Sequence, residues 1–468
     1  MGTSVHATAV GPAFLGWVLL IASAGAAPAP SSPAVDSGRV QEHLSQLATF
    51  GANPDGGVSR VAFSDADVAG RAYVRRLMEG AGLDVRTDAA GNLVGRREGA
   101  DRTLPAIVVG SHTDSVPHGG NYDGDVGVIG AIEVAQQLRG RHLRHALEIV
   151  DFTDEEGGLV GSRAMAGDLS AATLDLVNSS GRSVREGIRA LGGDPDGLAS
   201  ARRNPGEVAA YLELHIEQGG TLERTHTDIG VVEGIVGIHW WEAIVTGVAN
   251  HAGTTPMDQR FDALVAASEL VLAVNAAATA SPGRQVATVG RIQAEPGAPN
   301  VIPGRVVLSI EVRDLDPARI AAVFERIRAR AAEIARVRGT PIEFRDLEAT
   351  AAPALTDARI QRVIAGEARA LGLTSVTMPS GAGHDAQDIA RIAPIGMIFV
   401  PSAGGISHSP REYTGPADIA NGVNVLLRAV LKIDAGALDA TAASADRATN
   451  PVPGARGAAT APRYAPSL

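Results

Sequence analysis

The fold class follows from the stretch Ala106-Ile107-Val108-Val109-Gly110-Ser111-His112-Thr113-Asp114, an apolar run that ends in polar residues. A run of this length is typical of a strand that is buried on both faces of a sheet. A helical pattern follows at residues 127–138, and a second apolar run occupies residues 146–152. This β-α-β order predicts a parallel sheet covered by helices. His112 then lies in a loop at the carboxyl end of a strand, where open α/β sheets build their sites.

The pattern changes between residues 238 and 350. Strands are predicted at residues 239–247, 287–294, 305–313 and 342–346, and helices at residues 261–280 and 317–338. A β-α-β-β-α-β order is that of a ferredoxin-like sandwich. We therefore predict an α/β protein whose larger, discontinuous domain (residues 36–237 and 351–435) has a mixed, mostly parallel sheet flanked by helices. A ferredoxin-like α+β domain (residues 238–350) is inserted into it.

Composition excludes several classes of function. The 468 residues exceed one ordinary domain, and their formal net charge is −11 without any Lys/Arg run. Nucleic acid is therefore not an expected partner, because phosphate binding needs a concentrated cationic face. The chain has no cysteine, which excludes thiolate ligands, a cysteine nucleophile and disulfides. Any metal must be held by histidines and carboxylates.

Both ends of the chain have unusual composition. Residues 1–27 contain an apolar run that ends in small residues and resembles a signal peptide, although its start lacks Lys and Arg. If this segment is a true signal, the protein is periplasmic or secreted; if it reflects a mistaken start codon, the protein is cytoplasmic. The apolar run is too short for a membrane span. The tail at residues 436–468 is rich in Ala, Pro, Ser and Thr, and we predict that it is disordered.

Residues able to bind metal or move protons recur after the predicted strands. They are His112 and Asp114, Asp123 and Asp125, Glu155 and Glu156, His215 and Glu217, and His408. Taken alone, each has an ordinary explanation, such as a helix cap for Asp123 or solvated surface for the glutamate pair. Their common position at strand ends favours one shared site. There Asp114 can orient the His112 ring, while one of the two glutamates binds metal and the other takes a proton from water.

Longer strings accompany these residues. They are Gly110-Ser111-His112-Thr113-Asp114, Gly119-Gly120-Asn121-Tyr122-Asp123-Gly124, Asp154-Glu155-Glu156-Gly157, Gly161-Ser162-Arg163-Ala164-Met165-Ala166-Gly167, Glu213-Leu214-His215-Ile216-Glu217-Gln218-Gly219, Ala249-Asn250-His251-Ala252-Gly253-Thr254-Thr255-Pro256-Met257, Ser380-Gly381-Ala382-Gly383-His384-Asp385-Ala386 and Ser407-His408-Ser409-Pro410. In this order they resemble the family of N-carbamoyl-L-amino-acid hydrolases and allantoate amidohydrolases, part of the aminoacylase and carboxypeptidase group of dinuclear zinc hydrolases. The resemblance covers about residues 38–433.

The resemblance implies two divalent metal ions per subunit. Zinc is the expected metal, with manganese, cobalt or nickel as alternatives because His and carboxylate ligands accept all of them. Asp123 would bridge both ions, His112 and His215 would complete one site, and Glu156 and His408 the other. Glu155 would be the general base and acid, taking a proton from the water that attacks the carbamoyl carbon as metal-bound hydroxide.

The resemblance also implies how a substrate is held. Gln218, His251, Asn300 and Arg313 would bind it, the last three from an inserted domain that acts as a lid and dimerisation domain. Arg313 can grip a carboxylate bidentately, while His251 and Asn300 can donate to a developing oxyanion, which gives His251 a catalytic role as well. In relatives these lid residues complete a site across a dimer, so a homodimer is expected.

The substrate implied is a small ureido acid, either an N-carbamoyl-L-amino acid, N-carbamoyl-β-alanine or allantoate, cleaved at its carbamoyl C–N bond. A dinuclear zinc peptidase or an N-acyl-amino-acid deacylase would use the same residues. A non-catalytic binding protein would be expected to have lost Glu155 or a ligand, and this chain retains them all. One departure from the family is a shorter stretch between Glu156 and Gly161, next to the expected metals, which would reshape the pocket or alter metal loading.

Overall fold

The computed structural model describes residues 1–4, 6, 34–347 and 351–439. Most of the signal-like segment and the predicted disordered tail from residue 440 onward lie outside the described residues. From Ala34 on, the described chain forms one unit. Among the described residues, none of the helices is long and apolar enough to cross a membrane.

The helices of the described residues are, in chain order, α1 Ser37–Leu47, α2 Asp65–Gly80, α3 Asp125–Gln137, α4 Glu155–Gly158, α5 Val160–Ala166, α6 Val184–Ala190, α7 Thr221–Thr225, α8 Ala263–Thr279, α9 Pro317–Arg338, α10 Ala358–Ala370, α11 Asp385–Ile389 and α12 Pro416–Asp434. The strands are β1 Asp84–Thr87, β2 Leu93–Arg97, β3 Ala106–His112, β4 Leu147–Phe152, β5 Val208–Ile216, β6 Ile229–Ile235, β7 Gly237–Thr246, β8 Asn250–His251, β9 Val286–Thr288, β10 Ile292–Glu295, β11 Val301–Ile302, β12 Arg305–Asp314, β13 Ile342–Asp346, β14 Ala354–Leu355, β15 Ser375–Ser380 and β16 Ile395–Val400.

Nine strands form the larger sheet, in the order β1-β2-β4-β3-β5-β16-β6-β14, with β15 paired to β6. The central strands β4, β3, β5 and β16 are mutually parallel, whereas antiparallel pairs occur toward both edges. The predicted mixed, mostly parallel sheet is therefore confirmed. Parallel central strands direct their carboxyl ends to the same edge, which is where the candidate residues lie.

Strand β3 shows why this sheet is covered on both faces. All of its residues are buried, and successive side chains point to opposite sides. Ile107 and Val109 pack into one hydrophobic core, with helices such as α3 and α12, while Ala106 and Val108 pack into a second core on the other face. The apolar run therefore forms a fully buried central strand, as its composition predicts.

The smaller sheet has the order β10-β12-β7-β13, with β9 also paired to β12, and all its pairs are antiparallel. Its strands come from the predicted β-α-β-β-α-β segment, and α8 and α9 pack on it around a core of their own. The prediction of a ferredoxin-like sheet is confirmed, but the prediction of one continuous strand at residues 287–294 is wrong. That segment is split into β9 and β10 around Gly290, because glycine weakens a strand interior.

Helix α9 has the ends that its sequence predicts. The Asp316 side chain accepts the Ala318 N–H, Pro317 occupies the first turn, and Arg336 and Arg338 lie in the last turn. Gly339 ends the helix with a φ of 66°, the left-handed conformation that glycine adopts without strain. These local signals explain why the observed ends equal the predicted ones.

Candidate metal and active site

The candidate residues lie at the carboxyl ends of the parallel strands. His112 is the last residue of β3 rather than part of the following loop, and His215 is the penultimate residue of β5. Glu155 and Glu156 start the short helix α4 directly after β4. The predicted loop position of His112 is therefore wrong by one residue, because hydrogen bonds across the sheet extend β3 as far as His112.

The structure brings the five predicted ligands together in two groups. His112, Asp123 and His215 form one group and Asp123, Glu156 and His408 form the other, and both have ligand atoms close enough to hold a metal ion. Asp123 belongs to both groups. Its Oδ1 lies 3.0 Å from Nε2 of His215, and its Oδ2 lies 3.1 Å from Nε2 of His408.

A glycine makes the close approach of Asp123 possible. Gly124 has a φ of 66°, and a Cβ built on it would lie 2.5 Å from both Nε2 and the backbone oxygen of His112. Only glycine fits between the ring and the start of α3. Gln218 and His408 also have positive φ, at 56° and 53°, which aims both side chains at the cluster. Non-glycine residues in this conformation are uncommon and concentrate at functional sites.

Asp114 acts differently from the expectation. The Nδ1 atom of His112 lies 3.0 Å from the backbone oxygen of Asp114 and 3.7 Å from its carboxylate. The carboxylate instead accepts the N–H groups of Glu155 and Glu156, both at 3.2 Å. Asp114 therefore positions His112 through its main chain and the two glutamates through its side chain.

No pattern in the sequence indicated a role for Glu412. Its Oε1 accepts the N–H groups of Tyr122 and Asp123 at 2.9 and 3.0 Å. Its Oε2 accepts the Ser407 hydroxyl and the His408 N–H at 2.8 and 3.2 Å. One buried carboxylate thus joins the loop that carries Asp123 to the loop that carries His408.

A further group of buried polar residues lies behind His215. Glu213 and His384 have ligand atoms close to those of His215. The Glu213 carboxylate also accepts the Ser111 and Tyr211 hydroxyls at 2.9 and 3.0 Å. Glu213 and His384 both lie in sequence strings on which the family resemblance rests. That resemblance was the available signal for these two residues, but it implied no role for them.

The electrostatics of the cluster indicate missing positive charge. Burial raises the pKa of Glu156 to about 7, helped by the nearby Asp123. The hydrogen bond to Asp123 raises the pKa of His408 to about 9. Burial alone would lower the pKa of His112, but the surrounding carboxylates, Glu155 first, hold it well above its usual range. Burial acts to raise the pKa of Asp123, but its hydrogen bonds with His215 and His408 hold it well below its usual range. The carboxylates crowded in this buried cluster thus keep protons on Glu156, His112 and His408, and divalent cations would supply the positive charge that these protons provide. The donor set, histidine nitrogens and carboxylate oxygens, fits such ions.

Glu155 lies beside this cluster without belonging to either ligand group. Its side chain is 9% exposed, and Oε2 is 3.7 Å from Nε2 of His112. Burial raises its pKa well above the usual range, and the charges of Glu156, Asp385 and Asp114 act in the same direction. A carboxyl group with a raised pKa can both take and return a proton near neutral pH.

A pocket of about 250 Å³ contains both ligand groups and is also lined by Gln218 and Arg313. The Gln218 Nε2 donates to Asp123 at 2.7 Å, and its Oε1 is buried without a partner. The Arg313 guanidinium donates to both oxygens of Glu311, at 2.7 and 3.1 Å, and to the backbone oxygen of Gly381 at 2.7 Å. Three of its five N–H groups are thus engaged, which leaves one on each terminal nitrogen for a ligand.

His251 and Asn300 do not line this pocket within one chain. Both are exposed, and the short strands β8 and β11 place them next to each other. The Nδ1 of His251 accepts the N–H groups of Gly253 and Thr254 at 3.0 and 3.1 Å. The neutral ring therefore carries its proton on Nε2, which is free to donate.

Known proteins resemble this chain along most of its length. The model of peptidase family M20/M25/M40 matches residues 108–432. The N-carbamoyl-L-amino acid amidohydrolase of Geobacillus stearothermophilus is 40% identical over 405 residues, which are 85% of this chain and 98% of that protein. The ureidoglycolate hydrolase of Arabidopsis thaliana is 40% identical over 417 residues, 86% of this chain and 88% of that protein.

The crystal structure of an amidase of the hydantoinase/carbamoylase family from Burkholderia multivorans has a TM-score of 0.79 to this chain, at 37% identity, and the match covers 86% of this chain and 98% of that one. The fold, the sequence similarity and the two His/carboxylate groups thus all indicate the same family. The chain belongs to the hydantoinase/carbamoylase branch of peptidase family M20 and is an amidohydrolase that acts on C–N bonds.

Proposed function

We propose that this amidohydrolase cleaves the carbamoyl C–N bond of N-carbamoyl-L-amino acids with two divalent cations held by His112, Asp123, Glu156, His215 and His408. The observation that carries the proposal is the position of Asp123, which belongs to both ligand groups. A carboxylate common to both groups can serve two adjacent cations at once. We propose zinc as the native metal, with manganese, cobalt and nickel as the alternatives that the same donor set accepts.

Two cations bound there would polarise the carbamoyl oxygen and acidify a water molecule. The side chains of the chain do the remaining work. Glu155 takes the proton of the attacking water and returns it to the leaving nitrogen, for which its burial and raised pKa are suited. Cleavage of this C–N bond gives the free amino acid and carbamic acid, which decomposes to ammonia and carbon dioxide.

Arg313 and Gln218 orient the substrate. The two free N–H groups of Arg313 can receive the substrate carboxylate, and Glu311 holds the guanidinium in place for it. The unpaired Oε1 of Gln218 can accept an N–H of the carbamoyl group. The pocket, at about 250 Å³, suits the carboxylate and ureido ends of a small acid.

We propose a homodimer in which His251 and Asn300 of one subunit complete the site of the other. Both residues are exposed and outside the pocket of their own chain, whereas the free Nε2–H of His251 is suited to stabilise an oxyanion. This arrangement would place the inserted domain, residues 238–350, as lid and dimerisation domain.

A second candidate substrate is ureidoglycolate, because the Arabidopsis thaliana relative with 40% identity is a ureidoglycolate hydrolase. Allantoate and N-carbamoyl-β-alanine share the same ureido and carboxylate groups. A peptidase or an N-acyl-amino-acid deacylase could use the same metal ligands, so the test has to include their substrates.

The test measures ammonia release by the full-length protein, stripped of metal and reloaded with zinc or manganese. The panel contains N-carbamoyl-L-amino acids, N-carbamoyl-β-alanine, allantoate, ureidoglycolate, an N-acetyl amino acid and a dipeptide; cleavage of the last two is followed by free amine. Metal-dependent turnover of N-carbamoyl-L-amino acids, lost in Glu155→Ala, is the expected result. Dipeptide or N-acetyl cleavage without ammonia release would contradict the proposal.

A further inference from the structure

A second and larger cavity, of about 860 Å³, adjoins the pocket that contains the ligand groups. Glu155, Glu156, Leu159 and Ile238 line both spaces, so the cavity continues directly from the proposed reaction centre. Its volume lies in the range of small-molecule sites, which is roughly 300–1,000 Å³. The proposed chemistry needs only the smaller pocket and leaves this space without a role.

The smaller sheet determines which side chains face this cavity. Ile238 and Trp240 of β7 line it. Because successive side chains of a strand point to opposite faces, Trp241 points the other way, into the core of the smaller sheet. Ile238 lies directly opposite Arg313 on β12, and Trp240 lies opposite Glu311. Directly opposite residues of an antiparallel pair share a face. Arg313, Ile238 and Trp240 therefore lie on one face of the smaller sheet. Arg313 and Ile238 line the pocket that contains the ligand groups, and Ile238 and Trp240 line the large cavity.

The wall of the cavity combines apolar residues with charged ones. Its apolar residues are Leu159, Ile238, Trp240, Pro353 and Leu355. Trp240 is 41% exposed and Leu355 is 67% exposed. Large apolar side chains exposed together indicate a binding surface.

Some of the charged residues that line the cavity interact with one another. Arg391 forms an ion pair with Asp168, and Arg163 donates to the backbone oxygen of Asp168 at 3.3 Å. Arg163 engages only one terminal nitrogen in this bond, and Oδ2 of Asp388 is buried without a partner, so part of the lining is charged. The part formed by Ile238 and Trp240 is the one suited to an apolar occupant.

We infer that this cavity is the subsite for the side chain of the substrate, and that the side chain it takes is large and apolar, aromatic above all. The inference rests on the proposed function, because that function places the substrate carboxylate at Arg313 and the carbamoyl group at Glu155. A substituent on the α-carbon then passes Ile238 and reaches Trp240, where an aromatic ring can pack against the indole.

Gly157 and Gly158 have no side chains, so a larger residue at one of these positions would fill part of the cavity. Both glycines line the cavity, and a Cβ on Gly158 would meet only Val160 Cγ2, at 4.0 Å. A leucine there can project into the space without displacing backbone. Gly158→Leu therefore fills the subsite, while Trp240→Ala removes its aromatic wall.

The test compares kcat/KM for N-carbamoyl-L-phenylalanine and N-carbamoylglycine, using full-length protein loaded with zinc or manganese. We expect the wild type to favour the phenylalanine derivative by about tenfold or more, since even one buried methylene is worth about 10- to 200-fold. Trp240→Ala and Gly158→Leu should each lower this ratio by about tenfold. Phe261→Ala is the matched control, because Phe261 is 46% exposed on the same inserted segment and lines neither cavity; it should leave the ratio unchanged.

The outcomes separate the two proposals. Turnover of both derivatives with a wild-type preference for glycine, or with the same ratio in both variants, overturns the subsite and leaves the proposed function standing. Turnover of neither derivative by folded, metal-loaded wild type overturns the proposed function and the subsite with it. Thermal melting verifies that each variant is folded, and because Gly158→Leu fills open space, it keeps the test decisive if Trp240→Ala unfolds.

Discussion

The Oε1 atom of Glu412 accepts the backbone N–H of Asp123 at 3.0 Å, although 289 residues separate them in the sequence. The same carboxylate accepts the N–H of His408 through Oε2. Glu412 therefore sets the distance between the shared carboxylate of the cluster and a histidine from another loop, without belonging to either ligand group.

Removing this connection should weaken metal binding. Glu412→Ala leaves buried N–H groups of both loops unpaired, and we expect about 10- to 100-fold weaker zinc binding, the usual cost of losing an outer-shell partner. Competition with a chromogenic chelator measures it. Glu412→Gln keeps an acceptor oxygen and should lose less. Unchanged zinc affinity in a folded Glu412→Ala protein would show that the loops hold their positions without it.

Substitutions of the adjacent residues Glu155 and Glu156 should impair the enzyme in different ways. Glu155→Gln should lower kcat by about 10²- to 10⁴-fold while metal content stays normal, because it removes only the proton carrier. Glu156→Gln should lose metal, since Glu156 lies in a ligand group. Steady-state kinetics combined with metal analysis of the dialysed proteins distinguishes the two. Equal metal loss in both variants would contradict this division of roles.

The proposed exchange of His251 between subunits predicts complementation. Glu155→Ala and His251→Ala proteins should each be inactive as homodimers. After mixing through mild dissociation and reassembly, half of the dimers are mixed and contain one intact site, so about a quarter of wild-type activity should return. Mixing Glu155→Ala with Glu155→Gln is the control, which should stay inactive. Absence of recovery in verified mixed dimers would place His251 in the site of its own chain or outside it.

Chelation should destabilise the protein as well as inactivate it. A ligand that binds only the folded state at 100 times its Kd adds about 2.7 kcal/mol of stability. Scanning calorimetry should therefore show a lower Tm after treatment with a chelator and recovery on adding zinc. Asp123→Asn, which removes the shared oxygen charge, should respond far less. A Tm that is the same with and without metal would argue against a structural contribution of the cluster.

A buried ion pair near the site should dominate local stability. The Arg60 guanidinium donates to both oxygens of Asp125, at 2.8 and 2.6 Å, and both side chains are 1% exposed. Arg60→Ala leaves the carboxylate without its partner and should cost about 3–5 kcal/mol of unfolding free energy in urea. Arg328→Ala, which breaks an exposed pair with Glu325, should cost about 1 kcal/mol or less. Similar losses in both variants would mean that Asp125 is stable without Arg60.

Local sequence signals predicted several elements closely. Residues 317–338 and 342–346 become α9 and β13 with the predicted ends, because caps, proline and glycine act within a few residues of themselves. The strands β1, β2, β6, β14 and β15, which lie toward the two edges of the larger sheet, were not predicted, since a strand there depends on pairing with its neighbours.

The sequence by itself determined the residue types of the site and their order at strand ends, because a metal site without cysteine needs His and carboxylates and a buried parallel strand needs an unbroken apolar run. Only the tertiary structure decided which atoms meet. The contact of Asp123 with His408, the use of the Asp114 carboxylate for two backbone N–H groups, and the exclusion of His251 from the pocket of its own chain all depend on long-range packing. Such contacts follow from strand register and loop position, which no local pattern encodes.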